Sequence, residues 1–261
     1  MDEDEREGEH GEEGRIGALD LVATSARVLG SSFVPFALIT LLVMAPGYVA
    51  TISLGEWASG EAGAVDPTTL FWASLGTGAL RTVLTFVAQA TMVHGTVERL
   101  AGRPASLRGS LAAALGRTGP LLALAMIQSL AIWLALLACV VPGAVLLCVL
   151  FVSIPAAVVE RRGPLEAMQR SADLTRGHRL TIFAVALPVL VIAVAARYGL
   201  SAALPLLAPL ELPLRIADLV VQGVIAALFT MFQAVLAAVF YARARRIHDG
   251  LDADAIAKVF E

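Results

Sequence analysis

The stretch that decides the fold is residues 120–159, PLLALAMIQSLAIWLALLACVVPGAVLLCVLFVSIPAAVV, which contains no charged residue and no histidine. A helix needs about 20 mostly apolar residues to cross the hydrocarbon core of a bilayer. The stretch is long enough for two such helices, and Pro142 followed by Gly143 lies near its middle. Because proline breaks a helix and glycine permits sharp turns, we predict a tight hairpin that turns at these two residues.

The rest of the chain has the same apolar character. Of its 261 residues, 58% are hydrophobic and 16% are charged, and the mean hydropathy is +0.79, which excludes a water-soluble domain of ordinary composition. Because only helices and closed barrels satisfy their backbone hydrogen bonds in lipid, we predict an all-α, polytopic integral membrane helical bundle with about six transmembrane helices. The predicted spans are 33–52, 70–93, 120–140, 144–159, 180–196 and 216–241.

The first 15 residues are strongly acidic, with eight carboxylates between residues 2 and 13. Such a block of like charge repels itself and buries nothing, so we expect a disordered tail. It also lacks the basic start and apolar centre of a cleaved signal peptide. The predicted organisation is an acidic tail at 1–15, a six-helix membrane domain at 16–243 and a cytoplasmic segment at 244–261.

The basic residues alternate between the predicted loops. Of the 19 lysines and arginines, only Arg81 departs from a pattern in which the N-terminus, every second loop and the C-terminus are the richer ones. Short cytoplasmic loops retain basic residues, so both termini are predicted to be cytoplasmic. Arginine far outnumbers the single Lys258, and alanine is abundant. This composition suggests a bacterial genome rich in G and C, and hence the bacterial inner membrane.

Three short segments with helical apolar spacing precede the first, third and fifth predicted spans. They lie near residues 16–26, 107–115 and 165–175, and they predict three amphipathic helices on the cytoplasmic side. In the third, Pro164 suits the first helical turn, and Glu166 and Arg170 are at ion-pair spacing. Two interpretations stay open: three repeated units of an interfacial helix followed by a helical hairpin, or unrelated amphipathic linkers.

An ordered string of residues connects these segments to a known family. It comprises Pro142-Gly143, Pro155, Val158-Val159-Glu160, Gly163-Pro164-Leu165-Glu166-Ala167, Arg170-Ser171 and Leu174-Thr175-Arg176-Gly177, followed near the end by Phe240-Tyr241, Arg243 and Gly250-Leu251-Asp252. The string resembles the membrane domain of bacterial glycerophosphoryl diester phosphodiesterases and related stand-alone multi-pass membrane proteins of unknown function. One departure is His248-Asp249, which occupies a place where a glutamate before the glycine is usual.

The resemblance implies a six-helix membrane module with amphipathic helices on the cytoplasmic side. It does not imply phosphodiesterase activity, because in those proteins the chemistry belongs to a separate soluble barrel domain. Only 20 residues follow Tyr241, which are too few for such a domain.

Arg81 is the first candidate site residue, because an arginine within a membrane span costs about 2.5–3.5 kcal/mol on insertion scales. In one interpretation it faces a polar pocket and holds an anionic headgroup or substrate. In the other, the helix begins at Asp66-Pro67 and Arg81 reaches the outer interface. The candidate intramembrane polar site comprises Arg81, Gln89, Gln128, Asp218 and Gln222. The glutamines are also expected to bond across to neighbouring helices.

A second candidate site is a polar cluster that borders the inner leaflet. It comprises Glu160, Arg161, Arg162, Glu166, Arg170 and Arg176. The basic residues are those of an ordinary positive-inside anchor, or they recognise anionic lipid headgroups. Glu160 and Arg170 are further predicted to attach the amphipathic helix to the span that precedes it.

The remaining reactive residues predict no chemistry. Four scattered histidines make neither a zinc site nor a catalytic base, and nucleotide-binding and nucleophile motifs are missing from the sequence, so no catalytic residue, metal or cofactor is predicted. Cys139 and Cys148 are either small buried side chains or a disulfide across the predicted hairpin turn.

We therefore expect a non-enzymatic membrane module that binds or organises lipid or a membrane or cytoplasmic protein partner, and no nucleic acid. The alternative is a transporter or channel for a small or amphiphilic solute, which the proline breaks and Arg81 favour. A continuous polar path would distinguish the alternative from a tightly packed module.

Overall fold

The chain folds into α-helices over the part that the computed structural model describes, which comprises residues 16–59, 66–100, 102, 107–206 and 214–249. No strand occurs among these residues. The predicted tail at 1–15 and residues 250–261 lie outside them. In chain order, the ten helices are α1 (Ala18–Ser31), α2 (Phe33–Ser59), α3 (Pro67–Leu100), α4 (Leu107–Leu115), α5 (Thr118–Ala138), α6 (Val140–Val149), α7 (Ser153–Val159), α8 (Pro164–Leu174), α9 (Arg179–Ala203) and α10 (Leu214–Asp249).

Six helical segments are long and apolar enough to cross a membrane. They are Phe33–Ala58, Pro67–Leu100, Thr118–Ala138, Val140–Val159, Arg179–Leu206 and Ile216–Asp249. Each predicted span falls on one of them, so the all-helical fold and the number of six candidate spans are confirmed. Several helices are longer than predicted. For example, α3 has 34 residues, and its length of about 51 Å exceeds the roughly 30 Å of a bilayer's hydrocarbon core.

The hairpin between α5 and α6 turns at Cys139, three positions before Pro142, where the turn was predicted. Cys139 alone separates the two helices, and its extended backbone (φ −173°, ψ 152°) makes the turn. Pro142 and Gly143 lie within the first turn of α6, where a proline is tolerated because the N–H that it lacks has no helical partner. A Cβ atom on Gly143 would come within 2.7 Å of Leu136 Cγ. The structural role of Gly143 is therefore to permit close packing of the two helices, and it does not form the turn.

The hairpin geometry also decides the state of the two cysteines. Both Cys139 and Cys148 are free; Cys139 is exposed and Cys148 is buried. They lie at the two ends of α6, about 13 Å apart along the helix axis, whereas a disulfide needs Cα atoms within about 7 Å. The disulfide interpretation is therefore wrong in this structure.

The fourth predicted span is broken into α6 and α7 by a turn at Leu150–Val152. The amide nitrogens of Phe151 and Ser153 bond back three residues, to Cys148 and Leu150. Pro155 lies just after the break, and in a continuous helix it would lack a hydrogen bond to the Phe151 carbonyl and clash with it. The proline thus accounts for the interruption.

The connection between the fifth and sixth predicted spans, which end at residue 196 and begin at residue 216, is shorter than these bounds imply. Helix α9 continues to Ala203 and ends in a single 3-10 turn at 204–206. Residues 207–213, which contain two of the three prolines in this connection, lie outside the described residues. Pro205 lies in this final turn, whereas Pro188 lies within α9 without ending it.

The three predicted amphipathic helices are present as α1, α4 and α8. Helix α1 buries Leu21 and Ser25 and exposes Asp20 and Arg27, and α8 buries Ala167, Ser171 and Leu174 and exposes Glu166 and Asp173. The junctions differ, since only one residue separates α1 from α2 whereas residues 175–178 separate α8 from α9. The amphipathic character is therefore common to these helices, but the way they join their spans is not.

The buried core lies towards the end of the bundle where α1, α7 and α8 meet the long helices. Its largest fully buried side chains include Phe36, Phe240 and Tyr241. Gly95 of α3 lies in this core, and a Cβ atom at this position would come within 3.1 Å of a Phe36 ring carbon. The close contact between the helices therefore explains the glycine at position 95. Large apolar side chains elsewhere on the long helices are exposed, as expected of surfaces that face lipid.

Candidate functional site

One end of the bundle carries a concentration of arginines, and we call it the arginine-rich end. It contains the two ends of the described chain, because Arg243 near the end of α10 bonds to Asp20 (2.6 Å) and Thr24 (2.9 Å) on α1. The hydrogen bond and charge of Arg243 lower the pKa of the Asp20 carboxyl. The arginine-rich end is defined by Arg99, Arg117, Arg161, Arg162, Arg170, Arg176, Arg179, Arg243 and Arg245.

Glu160 is the centre of a hydrogen-bond network at this end. Its Oε1 accepts hydrogen bonds from Arg170 Nε (2.9 Å) and from the Tyr241 hydroxyl (2.8 Å), while its Oε2 accepts one from Arg162 Nε (2.5 Å). Arg170 also contacts the Asp249 carboxylate. The Glu160 and Arg170 side chains are only 8% and 12% exposed. The network therefore joins α7, α8 and α10 through a mostly buried ion pair.

The environment of this pair favours its charged state. Burial alone would raise the pKa of the Glu160 carboxyl, but hydrogen bonds from Arg170 and Tyr241 and the charge of Arg170 outweigh burial and lower the pKa. Burial would lower the pKa of the Arg170 guanidinium, and its bonds to Glu160 and Asp249 raise it instead. Both oxygens of this buried carboxylate accept hydrogen bonds from side chains of the protein, so the charged pair connects α7, α8 and α10.

The outcome for the predicted cluster is mixed. The structure brings Glu160 and Arg170 together as expected, but the predicted ion pair between Glu166 and Arg170 is wrong. Glu166 instead turns back, and its Oε2 accepts a hydrogen bond from the Gly163 backbone N–H at 3.3 Å. The N-terminus of a helix leaves its first N–H groups without partners, so a glutamate three residues in stabilises this end of α8.

Arg117 fixes the segment that follows α7. Its guanidinium donates hydrogen bonds to the carbonyl oxygens of Ala157 (2.9 Å) and Arg161 (3.0 Å). These bonds satisfy carbonyls near the end of α7 that have no helical partner. Arg161 itself has φ 53°, a left-handed conformation that a non-glycine residue adopts only where its surroundings hold it. Arg117 therefore helps to hold the backbone on which the cluster is built.

Ser171 attaches α8 to the break between α6 and α7. Its hydroxyl donates to the Val149 carbonyl at 2.7 Å and accepts from the Val152 backbone N–H at 3.2 Å. The break leaves both groups without helical partners, and Ser171 is fully buried. A serine at this position of the motif thus satisfies backbone groups that have no access to water.

Other arginines at this end remain available. Among the described residues, the side chains of Arg161, Arg176 and Arg179 make no hydrogen bond or ion pair, and all three residues are exposed. Two leucines beside them are exposed as well, Leu165 at 62% and Leu180 at 84%. Unpaired cations next to exposed leucines are typical of a protein surface at the level of lipid headgroups.

Arg81 does not meet the other members of its predicted site directly. Its guanidinium lies over the Tyr48 ring, 4.6 Å from the ring centre, and it donates a 3.3 Å hydrogen bond to the Tyr48 hydroxyl. Helix α3 begins at Pro67 as the second interpretation requires, with the Asp66 carboxylate accepting a 3.0 Å bond from the Thr69 N–H. Glu98, which precedes Arg99 of the arginine-rich end, is 17 residues after Arg81. This separation corresponds to about 25 Å of helix. This spacing favours a position of Arg81 near the far interface.

Asp218 and Gln222 form a separate pair on α10. Asp218 accepts hydrogen bonds from Ser201 Oγ (2.5 Å) and from Gln222 Nε2 (2.6 Å). The only link to Arg81 within the described residues is indirect, because the Tyr48 hydroxyl also lies 3.5 Å from the Gln222 carbonyl oxygen. Asp218 and Gln222 thus bond to each other rather than directly to Arg81.

Gln89 and Gln128 lie instead in a cavity of about 410 Å³ between α3, α5, α6, α9 and α10. Gln233 of α10 lines the same cavity. Gln128 Oε1 accepts a 2.7 Å hydrogen bond from Ser153 Oγ, which is a cross-helix bond of the predicted kind. Gln89 and Gln233 have no hydrogen-bond partner among the described residues. The predicted polar site is thus divided into two separate groups.

Sequence reasoning missed several residues of these sites. Tyr241 and Asp249 were visible only as part of the closing motif, and nothing in their spacing assigned them to Glu160 and Arg170, which lie 81 and 79 residues away. Gln233 carried the same signal as the other glutamines, a polar residue in an apolar helix. No group of three or more His, Cys, Asp or Glu side chains in the described part of the chain is placed to hold a metal ion.

The fold and the site define a class: an all-helical protein with six candidate membrane spans and a buried ion-pair network at its arginine-rich end. The chain belongs to the family described as "Domain of unknown function (DUF7847)", whose profile matches residues 17–244. Neither the curated proteins nor the solved structures give a match to the chain.

Proposed function

We propose that the chain is a non-enzymatic integral membrane module that binds anionic lipid at its arginine-rich end, with this end in the cytoplasm of a bacterium and the six spans in the inner membrane. The observation that carries the proposal is the set of exposed, unpaired arginines beside exposed leucines. A basic residue near an anionic bilayer surface contributes about 1 kcal/mol to binding, and inserted leucines add apolar burial. Arg161, Arg176 and Leu165 lie in α8 or next to α7 and α8, which the Glu160 network joins to α10.

The distribution of charge supports this orientation. Arg99 lies in the last turn of α3, Arg117 precedes α5, Arg161 follows α7 and Arg245 lies near the end of α10. Hydrogen bonds from Arg99 to the Ser31 carbonyl oxygen, from Arg117 to the Arg161 carbonyl oxygen and from Arg170 to Asp249 support the grouping of these segments at one end. Because short cytoplasmic loops retain basic residues, this distribution supports a cytoplasmic location for both described ends. A partner protein could use the same basic surface, and lipid is the occupant that the exposed leucines favour.

The proposal extends to kinship with the membrane domain of bacterial glycerophosphoryl diester phosphodiesterases. Support comes from the roles of the shared motif residues. Glu160, Arg170 and Tyr241 bond to one another, Ser171 satisfies the break before α7, and Gly177 adopts φ 85°, which glycine accommodates readily. The motif thus encodes the attachment of α8 to the spans, a structural feature that related membrane modules can share without sharing a reaction.

The test uses the purified full-length protein in a neutral detergent. Added phosphatidylglycerol should raise the thermal unfolding temperature, and phosphatidylcholine should have a much smaller effect. A triple variant, Arg161→Gln with Arg176→Gln and Arg179→Gln, should bind phosphatidylglycerol about 100-fold more weakly, from roughly 1 kcal/mol per arginine. The matched control is Arg197→Gln, an exposed arginine on α9 near its opposite end. Equal stabilisation by both lipids would contradict the proposal.

A second function, transport of a small or amphiphilic solute, is favoured by the cavity of about 410 Å³, because transporters hold their substrates near the bilayer midplane. Vesicles containing the protein and a fluorescent lipid analogue provide the test. Faster translocation than in protein-free vesicles would support transport, and equal rates would count against it.

A further inference from the structure

The cavity between α3, α5, α6, α9 and α10 is lined by polar side chains that are not part of the arginine-rich end. Gln89, Gln128 and Gln233 reach it from three different helices. Gln89 is nine residues before Glu98, Gln128 is eleven after Arg117 and Gln233 is ten before Arg243. These separations correspond to about 14, 16 and 15 Å of helix. The three amides therefore lie at one depth, close to the middle of a bilayer of about 30 Å.

Two of these amides need a partner that the protein does not supply. Gln89 and Gln233 are half-buried and have no hydrogen bond within the described residues, whereas Gln128 is bonded to Ser153. An unpaired amide in an apolar environment is energetically costly. A ligand with a hydrogen-bonding group at this depth would remove that cost.

The rest of the cavity limits what the ligand can be. The described side chains that line it include no charged group, and apart from the glutamines they are almost all apolar. A charged headgroup would lose its hydration there without a counter-ion, which is strongly unfavourable. The cavity volume of about 410 Å³ is within the range of sites for small organic ligands.

The route of entry points to lipid as the source. Towards the far end of the bundle the cavity is lined by Leu136 and Val140, and on its open side by Leu187 and Leu190. All four side chains are exposed, between 37% and 73%. An opening bordered by exposed leucine and valine on candidate membrane spans faces acyl chains rather than water.

We infer that this cavity binds an uncharged amphiphile, a molecule with a hydrocarbon body and a neutral hydrogen-bonding group that pairs with Gln89 and Gln233. The site is distinct from the arginine-rich end and selects against the anionic headgroups proposed to bind there. The hydrocarbon body extends from the glutamines towards Leu136 and Val140, and the ligand enters laterally from the membrane.

The experiment is photo-crosslinking of the full-length protein in vesicles. The probe is a long-chain alcohol with a diazirine near its hydroxyl group, and the matched probes are the corresponding carboxylate and the corresponding alkane. We expect the alcohol to label peptides of α3, α5 and α10 around the glutamines, and the alkane to label lipid-facing surfaces evenly. The carboxylate should label the cavity peptides weakly.

Variants make the test specific to the glutamines. Gln89→Leu with Gln233→Leu should reduce alcohol labelling of these peptides by roughly fivefold per lost hydrogen bond. The variant should fold, because apolar groups of similar size replace unpaired amides. Ala186→Phe, which fills the cavity from α9, should also reduce labelling. Gln222→Leu is the matched control, since Gln222 does not line the cavity, and its labelling should equal that of the wild type.

Three results would overturn the inference. Identical labelling patterns for the alcohol and the alkane would mean that the amides recognise nothing and that water satisfies them. Undiminished labelling in the Gln89→Leu/Gln233→Leu variant would mean the same. Stronger labelling by the carboxylate would exclude an uncharged ligand. None of these outcomes depends on phosphatidylglycerol binding by Arg161, Arg176 and Arg179, so the two proposals fail separately.

Discussion

The substitution Glu160→Ala should destabilise the whole bundle, because it removes the common acceptor of the network between α7, α8 and α10. The Arg170 side chain is only 12% exposed and would lose one of its two carboxylate partners, and Tyr241 would lose its acceptor. Removing one member of a buried ion pair costs about 3–5 kcal/mol. Asp249 still contacts Arg170, so we expect a value near the lower limit, about 3 kcal/mol.

Thermal unfolding in a mild detergent, followed by circular dichroism, measures this effect. For a domain of this size, 1 kcal/mol corresponds to about 2–4 °C, so the unfolding temperature should fall by roughly 6–12 °C. Arg170→Ala should have a similar effect, and the double variant should be clearly less than additive. The control is Arg176→Ala, an exposed and unpaired residue, which should change the temperature by less than about 2 °C.

The reasoning would be refuted if Glu160→Ala unfolded within about 2 °C of the wild type, or if the effects of Glu160→Ala and Arg170→Ala were simply additive. Additive effects would mean that the two residues stabilise the protein independently. The attachment of α8 to the spans would then not depend on the ion pair.

Three further predictions concern pH and packing. Because the folded state lowers the pKa of Glu160 below its ordinary value of 4.5, its contribution to stability is complete above that pH and is lost as the pH falls through the lowered pKa. Glu160→Gln should therefore flatten the loss of thermal stability in acid, and an unchanged profile would assign that loss to other carboxylates. Gly143→Ala should lower the free energy of unfolding by about 1–3 kcal/mol, because the new Cβ would come within 3.2 Å of Leu136 Cα. The control is Gly30→Ala in α1, whose Cβ would meet nothing within 4 Å and which should be neutral or stabilising. Equal effects of the two substitutions would contradict the packing explanation. Ser171→Ala should cost about 1–3 kcal/mol in the same unfolding assay, because the buried Val152 N–H loses its partner and the Val149 carbonyl oxygen keeps only the Thr175 hydroxyl at 3.4 Å. A stability equal to that of the wild type would mean that water replaces the hydroxyl.

The fold could be predicted from the sequence because membrane spans depend on length and apolar composition, which are local properties. The spans at 33–52 and 120–140 could be predicted without information about the residues that pack against them. The turn between α5 and α6 was misplaced for the same reason. Pro142 and Gly143 are residues that favour turns, but proline is also common in the first turn of a helix. Only the position of Leu136, which leaves no room for a Cβ atom, explains the glycine at 143.

The candidate sites were predicted less well because they depend on contacts between distant residues. Charge patterning identified Glu160 and Arg170, which are ten residues apart, but not Asp249. Helical spacing suggested Glu166 as the partner of Arg170. Glu166 instead accepts a hydrogen bond from the Gly163 N–H at the start of α8. The glutamines were identified because polar side chains are costly in lipid. The sequence could not show that Gln89 and Gln128 line a cavity to which Arg81 does not belong.

The most direct test of lipid binding at the arginine-rich end is native mass spectrometry of the protein extracted from bacterial membranes. Anionic phospholipids should be retained on the wild type and on Arg197→Gln. They should be lost from the Arg161→Gln/Arg176→Gln/Arg179→Gln variant. A wild-type protein that retains no lipid, or a triple variant that retains as much anionic lipid as the wild type, would contradict the account.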